Sequence, residues 1–440
     1  MIIFFWLLLV VAAIVWMTAR WKVHPFLALI FGAIGIGFLA RLDTETLIGS
    51  LAGGFGSTLQ SIGIVIAAGA IIGEYLDRSG GARVLANKIL NKSGEKFAPL
   101  SMSLTGYIVS IPVFCDSGFI VLSALNKAIA KRTKISLTVL AVALASGLYA
   151  THVFVPPTPG PLAAAATLNA DIGLVLILGL IVSIPVMAAA LAWAVLFCNY
   201  ENTDTDSYQA SKTPDYPLPS FKVAIAPILT PIILIALKSI AEYPTAPFGD
   251  GWVFSASVFL GDPIIALLIG VGMAFLMVTG GRKKIQNEWL EDGLKKAGII
   301  ILITGAGGAF GQVLRETDLG EFASQFAAIG GLGVLVPFLI AAFLKTAQGS
   351  STVAIITAAA ICAPLIEPLG LDSSMGTALA VLAIGAGSLT VSHLNDSYFW
   401  VVAKFSDMET STALKTHTIA TLIMGITGLI TIQIMVWVLV

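Results

Sequence analysis

An all-α polytopic membrane protein built from inverted-topology repeats is the fold class the sequence predicts, and three observations predict it. Hydrophobic residues make up 57% of the 440-residue chain and charged residues only 11%, too little polar surface to solvate several soluble domains. Apolar runs of about 20 residues recur from end to end, each able to cross a hydrocarbon core of about 30 Å. Several runs are interrupted by Pro, Gly and small polar residues, and the interruptions follow the same order in both halves. Each repeat should therefore hold one re-entrant helical hairpin and one broken transmembrane helix. A net charge of −1 gives no argument for a nucleic-acid or acidic partner, and three cysteines in apolar stretches suggest neither disulfides nor a metal site.

The first run, residues 2–18, is followed by Arg20 and Lys22 and no small-residue cleavage site, so it reads as a retained helix with its N-terminus outside. A second helix is expected over 25–40, and a Gly-rich entry, 51–58, leads into a third over 59–76, so that residues 1–57 form N-terminal scaffold helices. Residues 80–96 alternate apolar and basic faces, which suits a helix lying at the cytoplasmic interface, or equally a loop helix on that side. The first repeat spans 58–198. Its apolar stretch at 97–126 is broken at Pro112 and flanked by Lys96 and Lys127, Lys131 and Arg132. Basic residues at both ends put both ends inside, so the stretch must enter and return as a hairpin. The crossing at 135–169 breaks between His152 and Gly160, because proline removes a backbone donor and clashes with the preceding turn.

Residues 199–220, rich in Pro and polar side chains, read as a linker between the halves. Counting spans places it inside, although its acidic balance does not. Scaffold helices follow over 221–284, one at 223–240 and one at 263–278 with an outer loop rich in Pro and Gly between them, ending at Arg282, Lys283 and Lys284. The second repeat, 285–412, holds a hairpin at 332–365 flanked by Glu316, Asp318, Glu321, Glu367 and Asp372, and a broken helix at 375–403. Acidic flanks here and basic flanks on the first hairpin orient the two from opposite faces. Residues 413–440 close the chain as one helix.

The breaks carry the chemistry. Unwound backbone at membrane depth persists only where it is buried in protein or lines a polar cavity. Each new helix N-terminus presents free N–H groups and roughly half a positive charge, so converging ends form an anion site without a Lys or Arg. Lys345 stands only at the edge of one motif. A small carboxylate-bearing substrate is the expected guest, with no cofactor. Candidate binding residues are Ser117, Gly118, His152, Thr158, Gly160, Ser350, Ser351, Thr352, His393 and Asn395, whose hydroxyls, amides and rings suit a hydroxy acid. Asp116 costs about 2.5–3.5 kcal/mol at a helix centre, so it should be paired, neutral or functional. With His152 and Asp396 it is a candidate for carrying protons. Local alternatives stand beside these readings: Ser and Thr bonding their own helix, and Asp116 and Asp396 as helix caps. A sodium-coupled carrier and a membrane-embedded enzyme remain open, though the chain has no H-E-x-x-H or nucleophile elbow.

The strings 114–119 (FCDSGF), 152–161 (HVFVPPTPGP), 307–314 (GGAFGQVL), 349–354 (GSSTVA) and 392–400 (SHLNDSYFW) together resemble the gluconate permease (GntP) family of the ion transporter superfamily. The resemblance covers essentially the whole chain. It implies a proton symporter for gluconate or a related sugar acid in the bacterial inner membrane. It further implies a homodimer with a fixed scaffold and an elevator-like transport domain holding both hairpins. By position, Asp116 matches the family's acidic hairpin residue, and His152, Pro156, Pro157, Pro159, Gly160 and Pro161 its proline-rich break. Ser351, Thr352, His393, Asn395 and Asp396 match in the second half. Thr158 and Cys115 stand where the family often has His and an aromatic residue, which leaves room for glycerate, another aldonate or D-serine as substrate.

Overall fold

The structure, a computed structural model, describes residues 2–200, 217–242, 249, 251–278, 283–317, 333–394 and 396–439. The core of the 199–220 linker, the inside marker Arg282, the flanking acids Asp318 and Glu321, and Asn395 lie outside them. Among the described residues the regular structure is helical.

The first half runs α1 (Ile2–Ala19), α2 (Pro25–Leu39), α3 (Thr44–Arg78), α4 (Gly81–Ser93), α5 (Ala98–Val109), α6 (Cys115–Thr133), α7 (Leu137–Phe154), α8 (Pro159–Thr167) and α9 (Ile172–Phe197). The second half continues with α10 (Phe221–Ala241), α11 (Trp252–Leu260), α12 (Pro263–Phe275), α13 (Lys283–Arg315), α14 (Leu335–Gln348), α15 (Ser351–Cys362), α16 (Ser374–Leu389), α17 (Ser397–Phe405) and α18 (Thr410–Leu439). Six described helices are long and apolar enough to cross a membrane, and the pair α11–α12, bent by 68°, adds a seventh if taken as one span.

Helices α3, α5–α6, α7–α8 and α9 correspond in order to α13, α14–α15, α16–α17 and α18. In both repeats a long helix precedes a hairpin, a broken crossing and a final span. The hairpin arms explain the re-entry. One arm of each hairpin, α5 and α15, has 12 residues, about 18 Å at 1.5 Å per residue, too short to cross a hydrocarbon core of about 30 Å.

Two differences from the sequence reading have local causes. The Gly-rich entry at 51–58 is part of one unbroken 35-residue helix, capped by Asp43, whose carboxylate accepts the Thr46 N–H at 2.9 Å. Its glycines permit close packing: a side chain on Gly54 would strike the Gly308 carbonyl of α13, and α3 and α13 pack against each other more extensively than any other helix pair. α11, read from its Pro- and Gly-rich surroundings as outer loop, is helical and leaves no residue buried.

The inner ends of α3 and α13 are joined by charge. Glu74, with its side chain 2% exposed, accepts Arg78 Nε at 2.7 Å and Lys296 Nζ at 2.5 Å, while Arg78 also reaches Asp292 at 2.6 Å. Elsewhere, Lys127 of the first hairpin pairs with Asp407 at 2.6 Å. In the core, α7 is buried along its whole length. Gly147 is what lets α5 cross it, because any side chain there would overlap the Ser103 carbonyl.

Candidate functional site

The two hairpin tips and the two breaks turn inward on one another. At the first tip, residues 110–114 leave the helix and the Ser110 hydroxyl holds the turn by donating to the Val113 carbonyl at 3.1 Å. α6 then starts with Asp116 in its first turn. At the second tip Gly349 has φ +86°, a left-handed conformation open to glycine, and the Ser350 hydroxyl caps α15 by accepting the Val353 N–H at 3.3 Å. Between α16 and α17 the chain leaves the helix at Thr390, passes through Val391 at φ +52°, and turns so that the Asp396 N–H donates to the His393 carbonyl at 2.8 Å. Threonines of α18 pin that strand of backbone: Thr418 donates to the Ser392 carbonyl at 2.6 Å, and Thr421 accepts the Ser392 N–H at 3.0 Å.

The centre is an ion pair. Lys345 of α14 and Asp396 of the second break have side chains 1% and 3% exposed and meet at 2.5 Å. Lys345 also donates to the Gly349 carbonyl at 2.6 Å and lies 5.6 Å from the ring centre of Tyr149. Asp396 accepts the Ser392 hydroxyl and caps α17 through the Tyr398 N–H at 3.0 Å. Asp116 comes in from the opposite hairpin. The Ser397 hydroxyl engages it, it lies in the field of Asp396 and Lys345, and its buried Oδ1 has no partner. Tyr149 and Tyr398 floor the site with ring centres 5.0 Å apart, their hydroxyls donating to the carbonyls of Ser388 at 3.3 Å and Ala145 at 3.2 Å.

The other sequence-predicted residues fall into three groups. Ser351 is buried beside Tyr149, Ser350 caps its helix, and Thr352 is half-buried next to them. His152 is buried with Nδ1 unpartnered, 6.1 Å ring to ring from Phe114 of the first tip, and the half-buried His393 bonds the Thr346 carbonyl through Nε2 at 3.1 Å. The remaining four face packing surfaces. Thr158 turns its hydroxyl back to the Val155 carbonyl at 2.6 Å; Gly118 is packed on Leu148, Gly160 on Ile355, and Ser117 points between the first tip and α3.

Sequence reasoning placed Lys345 at the margin and built the anion site from helix ends alone. The structure puts this lysine at the centre, so the positive charge is a side chain as well as backbone dipoles. The signal was available: a cation inside an apolar stretch is as costly as Asp116 and calls for a partner in the same way. Tyr149, Tyr398 and His417, the last buried with Nε2 unpartnered, carry no such signal, because they lie outside the broken motifs or read as ordinary aromatic packing.

The comparisons with known proteins fit this geometry. The model of the family described as GntP family permease matches residues 2–440. The chain belongs to the GntP permease family. An uncharacterized permease of Haemophilus influenzae is 37% identical over 414 residues, covering 90% of this chain and 84% of its own. The gluconate permease of Pseudomonas aeruginosa is 35% identical, covering 96% of this chain and 95% of its own. A high-affinity gluconate transporter of Escherichia coli is 34% identical, with 93% and 94% covered. Two solved transporters share the fold: YdaH of Alcanivorax borkumensis, at a TM-score of 0.67 and 14% identity over 94% of this chain, and MtrF of Neisseria gonorrhoeae, at 0.67 and 16% over 98%. YdaH covers 99% of its own length and MtrF 98%. The protein is a multi-pass membrane transporter of the gluconate permease type, not an enzyme.

Proposed function

We propose that this transporter is a proton-coupled symporter that carries gluconate, or a related sugar acid or hydroxycarboxylate, across the bacterial inner membrane. The observation that carries the reading is the set of three buried or half-buried charges at the meeting of the tips: one cation, Lys345, against two carboxylates, Asp396 and Asp116. With all three ionised the set is net negative and would repel an incoming carboxylate. A proton taken up by one of the acids brings the set to neutrality and removes the repulsion that an incoming carboxylate meets, so anion and proton enter together. Each leaves more readily once the other has gone.

The helix N-termini of α6, α15 and α17 that open on this cluster add N–H donors for the substrate carboxylate, and Ser351, Thr352 and Ser397 offer hydroxyls to the polyol. In this reading the hairpins and broken helices move as a transport domain past a scaffold that includes α3 and α13, in a homodimer. The small residues of α3 suit such sliding; Gly73 lets the Pro112 carbonyl of the first tip rest directly on the helix.

Uptake of labelled gluconate into proteoliposomes under separately imposed pH and Na⁺ gradients tests the proposal. Accumulation driven by the pH gradient alone is expected. Accumulation that follows only Na⁺, or no accumulation of any sugar acid, would remove it.

A further inference from the structure

We propose that the outer mouth of the protein holds a second, weaker site for the carboxylate of a hydroxycarboxylate, centred on Arg315 and filled before substrate reaches the central cluster. This rests on the reading that hydroxycarboxylates are the cargo. Helix α13 starts at the basic inner side and runs 33 residues, about 50 Å, so Arg315 at its end lies at the outer face. There a cavity of about 90 Å³ opens between α3, α13 and the end of α8, lined by Ser57, Ser61, Asn169, Gln312 and Arg315 among others. It shares Arg315 and Asn169 with a wider cleft of about 350 Å³.

The chemistry of the inner cavity is one-sided. Among the described residues that line it, Arg315 is the only ionic one. One Nη2–H of the guanidinium donates to the Thr167 carbonyl at 2.6 Å, which orients the group without neutralising it. An arginine has five N–H donors in a planar fork, so a face remains for a carboxylate held by two parallel bonds. Ser57 and Ser61 spend their hydrogens on the carbonyls of Gly54 and Ser57, at 3.3 and 2.9 Å, which leaves their oxygens as acceptors for the hydroxyls of a sugar acid. The wider cleft carries Glu367 and Asp372, further acceptors for hydroxyls and a barrier to an anion that is not drawn to Arg315. A purely structural Arg315, tying α13 to the end of α8, would need neither the cavity nor the hydroxyl lining.

The test uses gluconate as probe in two readouts. In purified protein, Lys345→Gln disables the central cluster; calorimetric titration of this variant should still show one weak gluconate site, lost when Arg315→Gln is added. In right-side-out vesicles Arg315→Gln should raise the KM for influx about tenfold or more, the loss of one charge-assisted contact, and leave the KM for efflux in inverted vesicles unchanged. Ser61→Val, which crowds the cavity and leaves the Arg315–Thr167 bond intact, should raise the influx KM in the same direction. The outer site is overturned if the Lys345→Gln protein binds no gluconate, or if Arg315→Gln alters influx and efflux alike. Failure of wild-type protein to transport gluconate under a pH gradient would instead strike the transport reading.

Discussion

Replacing Asp396 with alanine should be among the most damaging single changes in this protein. Its carboxylate holds the Lys345 ammonium at 2.5 Å in a place where both side chains are almost fully buried. Without it Lys345 keeps one described hydrogen-bond partner, the Gly349 carbonyl at 2.6 Å, and the face of the Tyr149 ring. Stranding a buried charge costs about 3–5 kcal/mol, and losing the cap on α17 adds about 1 kcal/mol. Lys345→Met should cost less, near the lower end of that range, because Asp396 would still accept the Ser392 hydroxyl and the Tyr398 N–H. In the double variant Lys345→Met with Asp396→Ala neither charge is left behind, so most of the stability should return, short by about the value of the cap. The measurement is denaturant unfolding of the four proteins in one detergent, read as a double-mutant cycle, with gluconate uptake alongside. Uptake should be lost in all three variants. If the two single losses simply add, the pair does not interact as the geometry requires and the site has been misread.

Asp116→Asn should abolish uptake driven by a pH gradient while leaving gluconate exchange at equal concentrations and the unfolding midpoint close to wild type; unaltered pH-driven uptake would remove Asp116 from coupling. Gly147→Val should prevent a stable fold, since the new side chain overlaps the Ser103 carbonyl and the flanking helices cannot part without losing the core of α7; a monodisperse, active protein on gel filtration would contradict the packing. Glu74→Leu should destabilise by about 2 kcal/mol, less than the central pair, because Arg78 and Lys296 are 36% and 43% exposed and can turn to water; thermal unfolding in detergent checks it. Cysteines placed at Arg132 and Glu367 should react with impermeant maleimide from the cytoplasmic and outer sides respectively, over a low background because Cys115, Cys198 and Cys362 are buried; labelling from one side only would undo the inverted arrangement.

The sequence by itself determined the membrane class, the order of spans and breaks, and the opposite entry of the hairpins. All three follow from short-range rules: apolar length against bilayer thickness, proline against helix, and charge against the inner face. Helix ends within a few residues of Pro112 or Gly160 were legible for the same reason. Two places escaped those rules. Residues 51–58 continue α3 because Gly308 of another helix receives them, and α11 forms in a stretch whose composition reads as loop. The site was legible as a list of polar residues and not as an arrangement. That Lys345 meets Asp396, 51 residues away, while Thr158 and Gly160 turn toward packing, depends on which helix faces which. A charge buried in an apolar run announces that it needs a partner, but the partner is chosen by the packing of α14 against α16 and by the hold of α18 on the break, and only the tertiary structure makes that choice.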